Sequence, residues 1–269
     1  MAQTSSVSFP VTSSDTTEGT VSTSTLSFST DNWSTAQTVT VYGVDDTLSD
    51  DNQAFSVTLG SVTSSDVNYA GKNPDDVSVT NVDNETASIT VSALSGNTTE
   101  MGGTATFTVV LDSQPTSDVS IAVSSSDTSE ATISPSSLTF DSSNYSTLQT
   151  VTVTGVDDFY DDDNVSYTIT VDPSSSIASY NTMTSSTVTG SNIDNDTAAI
   201  AVGAKSGNTS EFGTTATINV TLATIPTANV SIVVTDNDST EVSITPTNLT
   251  ITPSTWKTTN QVTLSGQDD

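Results

Sequence analysis

The sequence predicts an all-β protein, an elongated tandem array of seven-stranded antiparallel β-sandwich domains of immunoglobulin-like type. Three observations carry that prediction. Apolar residues alternate with threonine and serine at a period of two, and helical periodicity appears nowhere. Short motifs recur at one fixed spacing. The apolar fraction is only 32%, below the ~45–50% usual for globular domains. Such a deficit signals disorder when apolar residues are scattered; here they are periodic.

The repeat rests on four anchors. "TVTVYGVDD" begins at Thr38, "TVTVTGVDD" at Thr150 and "QVTLSGQDD" at Gln261, offsets of 112 and 111 residues. "SGNTTE" at Ser95 returns as "SGNTSE" at Ser206, and "NVDNETA" at Asn81 as "NIDNDTA" at Asn192, each 111 apart. "SSDTTEGT", "SSDTSEAT" and "DNDSTEVS" at 13–20, 125–132 and 236–243 keep the spacing. That period is too long for a solenoid coil and right for an independently folding sandwich. The chain then divides into a partial repeat lacking its opening strands (1–87), a complete repeat (88–198) and a partial repeat lacking its closing strands (199–269).

Within the complete repeat, strands are predicted at 88–93, 104–111, 118–124, 131–140 (open to a break at Pro135), 148–154, 165–171 and 186–192. Ala105, Phe107, Val109 and Leu111 share one face, with Thr104, Thr106 and Thr108 on the other. Val151 and Val153 alternate with threonines, as do Val165, Tyr167, Ile169 and Val171 with polar residues. This is the pattern of an antiparallel sheet with one wet face.

Charge is the other dominant feature. The 269 residues include 32 acidic and 3 basic ones, a formal charge of −29, with no arginine, histidine or cysteine. Such a field argues against nucleic acid or an anionic membrane as partner and invites cations. No apolar run reaches the ~18 residues of a membrane span, so membrane insertion is not expected. "MAQTSSVSFP" lacks the basic and apolar regions of a signal peptide. Either one has been removed or the chain is an excerpt.

If successive strands run up and down, the recurring acids all fall at one end. Glu100 lies after the first strand, and Asp127 and Glu130 lie between the third and fourth. Asp157, Asp158, Asp161, Asp162 and Asp163 lie between the fifth and sixth, and Asp194 and Asp196 follow the last. The partial repeats supply Asp45, Asp46, Asp50, Asp83 and Glu85, and Glu211, Asp238, Asp268 and Asp269. Two like charges ~4 Å apart cost on the order of 4 kcal/mol at an effective dielectric of ~20. Such carboxylates are protonated, splayed into water as ordinary turn residues, or bound to a multivalent cation. All-oxygen donors on flexible loops select Ca²⁺, and the absence of histidine and cysteine argues against zinc or copper.

At these residues the chain resembles the Calx-β repeat family, through "TEMGGTATFTVVL" (99–111), "VTVTGVDDFYDDDN" (151–164) and "NIDND" (192–196). Cadherin-like arrays are near relatives. The resemblance implies a seven-stranded sandwich binding Ca²⁺ at one end, with Glu100, Asp127, Asp157, Asp158, Asp161, Asp194 and Asp196 as ligands. Asp162 and Asp163 are substitutes for Asp161. One departure is that "VDDFYDDDN" holds no glutamate where members often have one. The Ser/Thr-rich style is similar to tandem repeats of large bacterial surface proteins, which implies an extracellular location.

Trp33, Tyr145 and Trp256 share one repeat position and read as anchors over the sandwich end rather than as a ligand platform. An enzyme is not expected, because only carboxylate chemistry remains and the acids cluster and repeat. The functional expectation is a Ca²⁺-stiffened spacer of a bacterial adhesin or surface fibre, with neighbouring repeats as partners. The alternative is a filament subunit, a homopolymer joined head to tail by strand complementation between its incomplete terminal domains.

Overall fold

The computed structural model describes residues 5–268. The first repeat contains β1 (Val7–Ser13), β2 (Gly19–Val21), β3 (Thr25–Phe28), β4 (Val41–Gly43), β5 (Gln53–Leu59), β6 (Thr63–Ser64) and β7 (Val77–Asn81). The middle repeat contains β8 (Ile89–Val91), β9 (Thr98–Thr99), β10 (Thr104–Leu111), β11 (Val119–Ser125), β12 (Ala131–Ser134) and β13 (Ser137–Phe140). It continues with β14 (Gln149–Gly155), β15 (Val165–Ser175), helix α1 (Ala178–Asn181) and β16 (Ser186–Ile193). The last repeat contains β17 (Ile200–Val202), β18 (Thr215–Leu222), β19 (Val230–Val233), β20 (Val242–Thr245), β21 (Asn248–Ile251) and β22 (Asn260–Gly266).

In the middle repeat the sheets β12-β14-β10-β8 and β13-β11-β15-β16-β9 face each other. Threonine–valine alternation builds them: β10 buries Ala105, Phe107, Val109 and Leu111, and β14 buries Val151 and Val153. The facing sheet feeds the same core with Ile121, Phe140, Tyr167 and Ile169. Each such buried aliphatic or aromatic side chain contributes about 1.5–3 kcal/mol of transfer free energy.

The architecture is all-β, with differences of detail from seven plain strands. The 131–140 segment divides between the two sheets, β12 pairing β14 and β13 pairing β11. Pro135 has no N–H for a ladder, so the chain changes sheet there. β15 runs on through Pro173, opposite Ile121, beyond the last paired residue of β16. Proline is tolerated there because its missing N–H faces an open edge. β9 adds a short parallel edge to β16. A single helical turn, α1, inserts the fully buried Tyr180, whose ring hydroxyl lies 3.2 Å from Ser113 Oγ.

The first repeat has the sheet β3-β1-β5-β7 and the pair β2-β4, with no counterpart of β8 and β10 among the described residues. Its buried apolar cluster is Val11, Phe55 and Val57. The last repeat has β17-β18-β22-β20 and the pair β19-β21, around Val220, Leu249 and Val262.

Candidate metal centre

Four segments of the middle repeat meet at one end. In the opening turn, Gly102 takes φ +78°, and the Gly102 and Gly103 N–H groups donate to Thr99 C=O at 3.0 and 3.1 Å. Glu100 N–H donates to Ile193 C=O at 3.1 Å, which holds the turn against the exit of β16. Glu100 is thereby left only 2% exposed. Between β11 and β12, Asp127 Oδ1 accepts from Ser129 N–H at 3.0 Å and from its hydroxyl. That closed turn turns Glu130 inward, 5% exposed.

Glu130 is held by strand ends. Val156 N–H donates to its C=O at 2.9 Å, and Asn192 Nδ2 donates to its Oε2 at 3.3 Å and to Val156 C=O at 2.9 Å. Thr98 Oγ1 completes the buried carboxamide by donating to Asn192 Oδ1 at 2.9 Å. Gly155 makes room, since a Cβ there would collide with Asn192 and the Thr99 backbone.

The acidic loop and the β16 exit are laced by backbone donors. Asp163 N–H donates to Asp194 Oδ2 at 3.1 Å, and Asp194 N–H to Asn164 Oδ1 at 3.1 Å. Asp196 N–H donates to Asp194 Oδ1 at 2.6 Å, and Asn195 N–H to Glu100 Oε2 at 3.0 Å. Asp163 has the left-handed φ of 63° that turns the loop back on itself.

Two carboxylate triads result. Glu100, Asp194 and Asp196 each offer an oxygen within 4.8 Å of the others, as do Glu130, Asp158 and Asp162. Burial raises the Glu100 carboxyl to about 7, with the charges of Asp194 and Asp158 adding and the Asn195 N–H opposing. Burial likewise raises Glu130, Asp162 and Asp196, and neighbouring carboxylates reinforce each: Asp162 and Asp158 act on Glu130 against its Asn192 hydrogen bond, Asp158 and Asp194 on Asp162, and Asp194 and Asp157 on Asp196. Asp196 Oδ2 is buried with no hydrogen-bond partner. An orphaned anionic oxygen among oxygen-only donors fits a hard divalent cation.

The other predicted residues lie outside the two triads, although Asp157 lines one cleft with Glu100, Asp158 and Asp196, and the charges of Asp157 and Asp161 act on Asp196. Asp157 accepts from Asn195 Nδ2 at 3.2 Å, and Asp161 Oδ2 accepts from Ala198 N–H at 2.8 Å. Asp127 spends its carboxylate on its own turn, which lowers its pKa, so Glu130 stands where Asp127 was expected. The sequence held a clue. Asp127 and Ser129, Asp15 and Thr17, and Asp238 and Thr240 each pair at i, i+2, the spacing of a self-closing turn.

The first repeat reproduces much of this geometry. Asn81 Nδ2 donates to Glu18 Oε2 at 3.2 Å and to Val44 C=O at 2.9 Å. Asp50 and Asp51 N–H groups donate to Asp83 Oδ2 at 3.2 and 2.9 Å, and Glu85 N–H to Asp83 Oδ1 at 2.8 Å. Glu18, Asp46, Asp50, Asp83 and Glu85 line one polar cleft. Asp45 lies outside that lining and acts through its charge on Glu85, which burial chiefly raises. In the last repeat Glu211, Glu241 and Asp268 are exposed and Asp238 caps its turn; Asp269 lies outside the described residues.

The aromatic position behaves differently in each repeat. Trp33 is 50% exposed, Tyr145 packs against the middle core, and Trp256 meets Phe159 of the preceding repeat in a tilted ring contact. Trp256 is therefore a joint residue and not a sandwich-end anchor.

No protein-family model matches the chain, and no curated protein matches it. Solved structures similar to it include surface layer protein SbsC, domains 1–6, at 16% identity and TM-score 0.34, covering 96% of this chain and 28% of that one. Calcium binding domain CBD12 of CALX1.1 is similar at 15% identity and TM-score 0.29, covering 63% and 69% of the two chains. A protein of unknown function from Porphyromonas gingivalis W83 is similar at 10% identity and TM-score 0.27, covering 66% and 83%. The chain thus spans under a third of the length of that solved surface layer chain.

Proposed function

We propose that the chain is a non-enzymatic, extracellular spacer array whose units, 1–87, 88–198 and 199–269, are stiffened at their joints by Ca²⁺. One observation carries this reading. The loop that places Asp158 and Asp162 in a triad also docks on the next repeat, Phe159 C=O accepting from Ile225 N–H at 2.7 Å. Asp161, in the same loop, caps Ala198 N–H in the linker, and Asp196 itself belongs to that linker. A cation drawing Glu130, Asp158 and Asp162 together, with a second among Glu100, Asp194 and Asp196, fixes the loop and the joint at once. Calcium suits the donor set because it accepts 6–8 oxygens in irregular geometry, and extracellular modules bind it at ~10⁻⁴–10⁻³ M.

Binding only the folded state stabilises by RT ln(1 + [L]/Kd), about 2.7 kcal/mol at a hundredfold excess. Chelation therefore lowers the melting temperature and increases the bending seen by small-angle scattering. Identical melting and scattering in EDTA and in millimolar calcium chloride would contradict the proposal. A second reading is a head-to-tail homopolymer joined by strand complementation between copies. Continuous fibrils in electron micrographs would favour that polymer, and discrete short rods the spacer.

A further inference from the structure

The two joints share a backbone register and differ in side chains. At the first, Gln114 N–H donates to Thr47 C=O at 2.8 Å and Ser49 N–H to Gln114 C=O at 3.3 Å, a parallel bridge centred on Leu48. At the second, Ile225 N–H donates to Phe159 C=O at 2.7 Å. Thr47 and Phe159 are 112 residues apart, and Gln114 and Ile225 are 111 apart, so both pairs occupy the same repeat positions.

The side chains at these positions match across each joint. Thr47 Oγ1 donates to Gln114 Oε1 at 2.9 Å, polar on polar. Phe159 meets the Trp256 ring at 5.5 Å and 44°, and Lys257 Nζ sits 4.8 Å from the Phe159 centroid and 5.5 Å from that of Trp256. There the partner at the glutamine position is Ile225. At the first joint Tyr145 and Ser146 hold the places of Trp256 and Lys257, and Tyr145 packs into its own repeat instead.

We infer that these positions form a pairing code between consecutive repeats. A loop bearing threonine fits a following repeat with glutamine, and a loop bearing phenylalanine fits one with isoleucine and Trp-Lys. A mismatch either leaves an amide or hydroxyl without its partner or forfeits the ring and cation contacts. None of the code residues is a proposed ligand, so the inference stands apart from calcium.

The chain has no cysteine, so paired spin labels can be placed without background. In the full chain, Thr12→Cys with Ser124→Cys reports the first joint, and Ser124→Cys with Thr235→Cys the second. All three sites are exposed and occupy one repeat position. Phe159→Thr lowers the docked population of the second joint about tenfold, read as a broadened distance distribution. Thr47→Phe broadens the first joint, and adding Gln114→Ile, Tyr145→Trp and Ser146→Lys narrows it again. Each variant's melting temperature reports that the sandwiches are intact. Single variants as narrow as the parent, or a quadruple variant no narrower than Thr47→Phe, overturn the code. The measurements are run in EDTA and in calcium chloride: widths insensitive to calcium would count against the metal reading alone.

Discussion

The acidic ends of the middle and last repeats carry similar residues at the same spacing and have different geometries. In the middle repeat Glu100 and Glu130 are buried and gathered into triads. In the last repeat their counterparts Glu211 and Glu241 are exposed. The described residues of the last repeat include no counterpart of the β15–β16 pair, whose Asn192 bonds Glu130 and Val156 in the middle repeat. The first repeat sharpens the point. It has β5 and β7 with Asn81 in the same role, and it gathers Glu18, Asp50, Asp83 and Glu85 with no counterpart of β10 among the described residues. Carboxylates alone do not make the site; the closing strands and their asparagine do.

The comparison is broken most severely through the core that aims those strands. Phe107, 1% exposed, lies in the centre of the middle core, and Phe107→Ala costs about 3–5 kcal/mol. Leu249→Ala, in the thinner last core, costs about 2–3 kcal/mol by the same accounting. Urea denaturation measures both, and equal losses would show that the two cores are equally developed.

Next in size is the pH response of the metal-free chain. Folded Glu100 keeps its proton up to about pH 7, whereas a glutamate with the ordinary value of 4.5 releases it earlier. The folded state thus holds more protons between those values, so stability falls as pH rises from about 4.5 to 7, by up to ~3 kcal/mol. Saturating calcium removes that loss, because the ion replaces the proton. Melting scans in EDTA at pH 5 and pH 8 check the sign. A rise in stability across that window would contradict the buried placement of Glu100.

The smallest effect separates two neighbouring acids. Glu130→Gln weakens calcium binding about tenfold, or ~1.4 kcal/mol, through loss of a buried anionic ligand. Asp127→Ala lowers stability slightly through its lost turn bonds and leaves affinity within about twofold. Calorimetric titration of the two variants distinguishes them. Equal losses of affinity would restore Asp127 to the site.

The strands were legible because alternation such as Phe107, Val109, Leu111 against Thr106 and Thr108 has one structural meaning. The gathering of distant acids at one end followed from strand parity alone. A break at Pro135 was legible from the proline, but the change of sheet there, the cap of α1 with Tyr180 and the short β9 edge were not, since each is settled by tertiary packing rather than by local pattern. The inward aim of Glu130 was hidden because Asp127 and Glu130 look equivalent until the Asp127–Ser129 turn is formed. In the sequence Asn192 is one residue of the "NIDND" motif, and its role as a buried bridge between Thr98, Glu130 and Val156 appears only in three dimensions.

The most direct measurement is a crystal structure of the chain grown in millimolar calcium chloride, with anomalous scattering to locate the ions. The account predicts one ion among Glu100, Asp194 and Asp196 and another among Glu130, Asp158 and Asp162, with oxygen distances of about 2.3–2.6 Å. Both triads free of anomalous density, with Glu100 and Glu130 still buried, would contradict it.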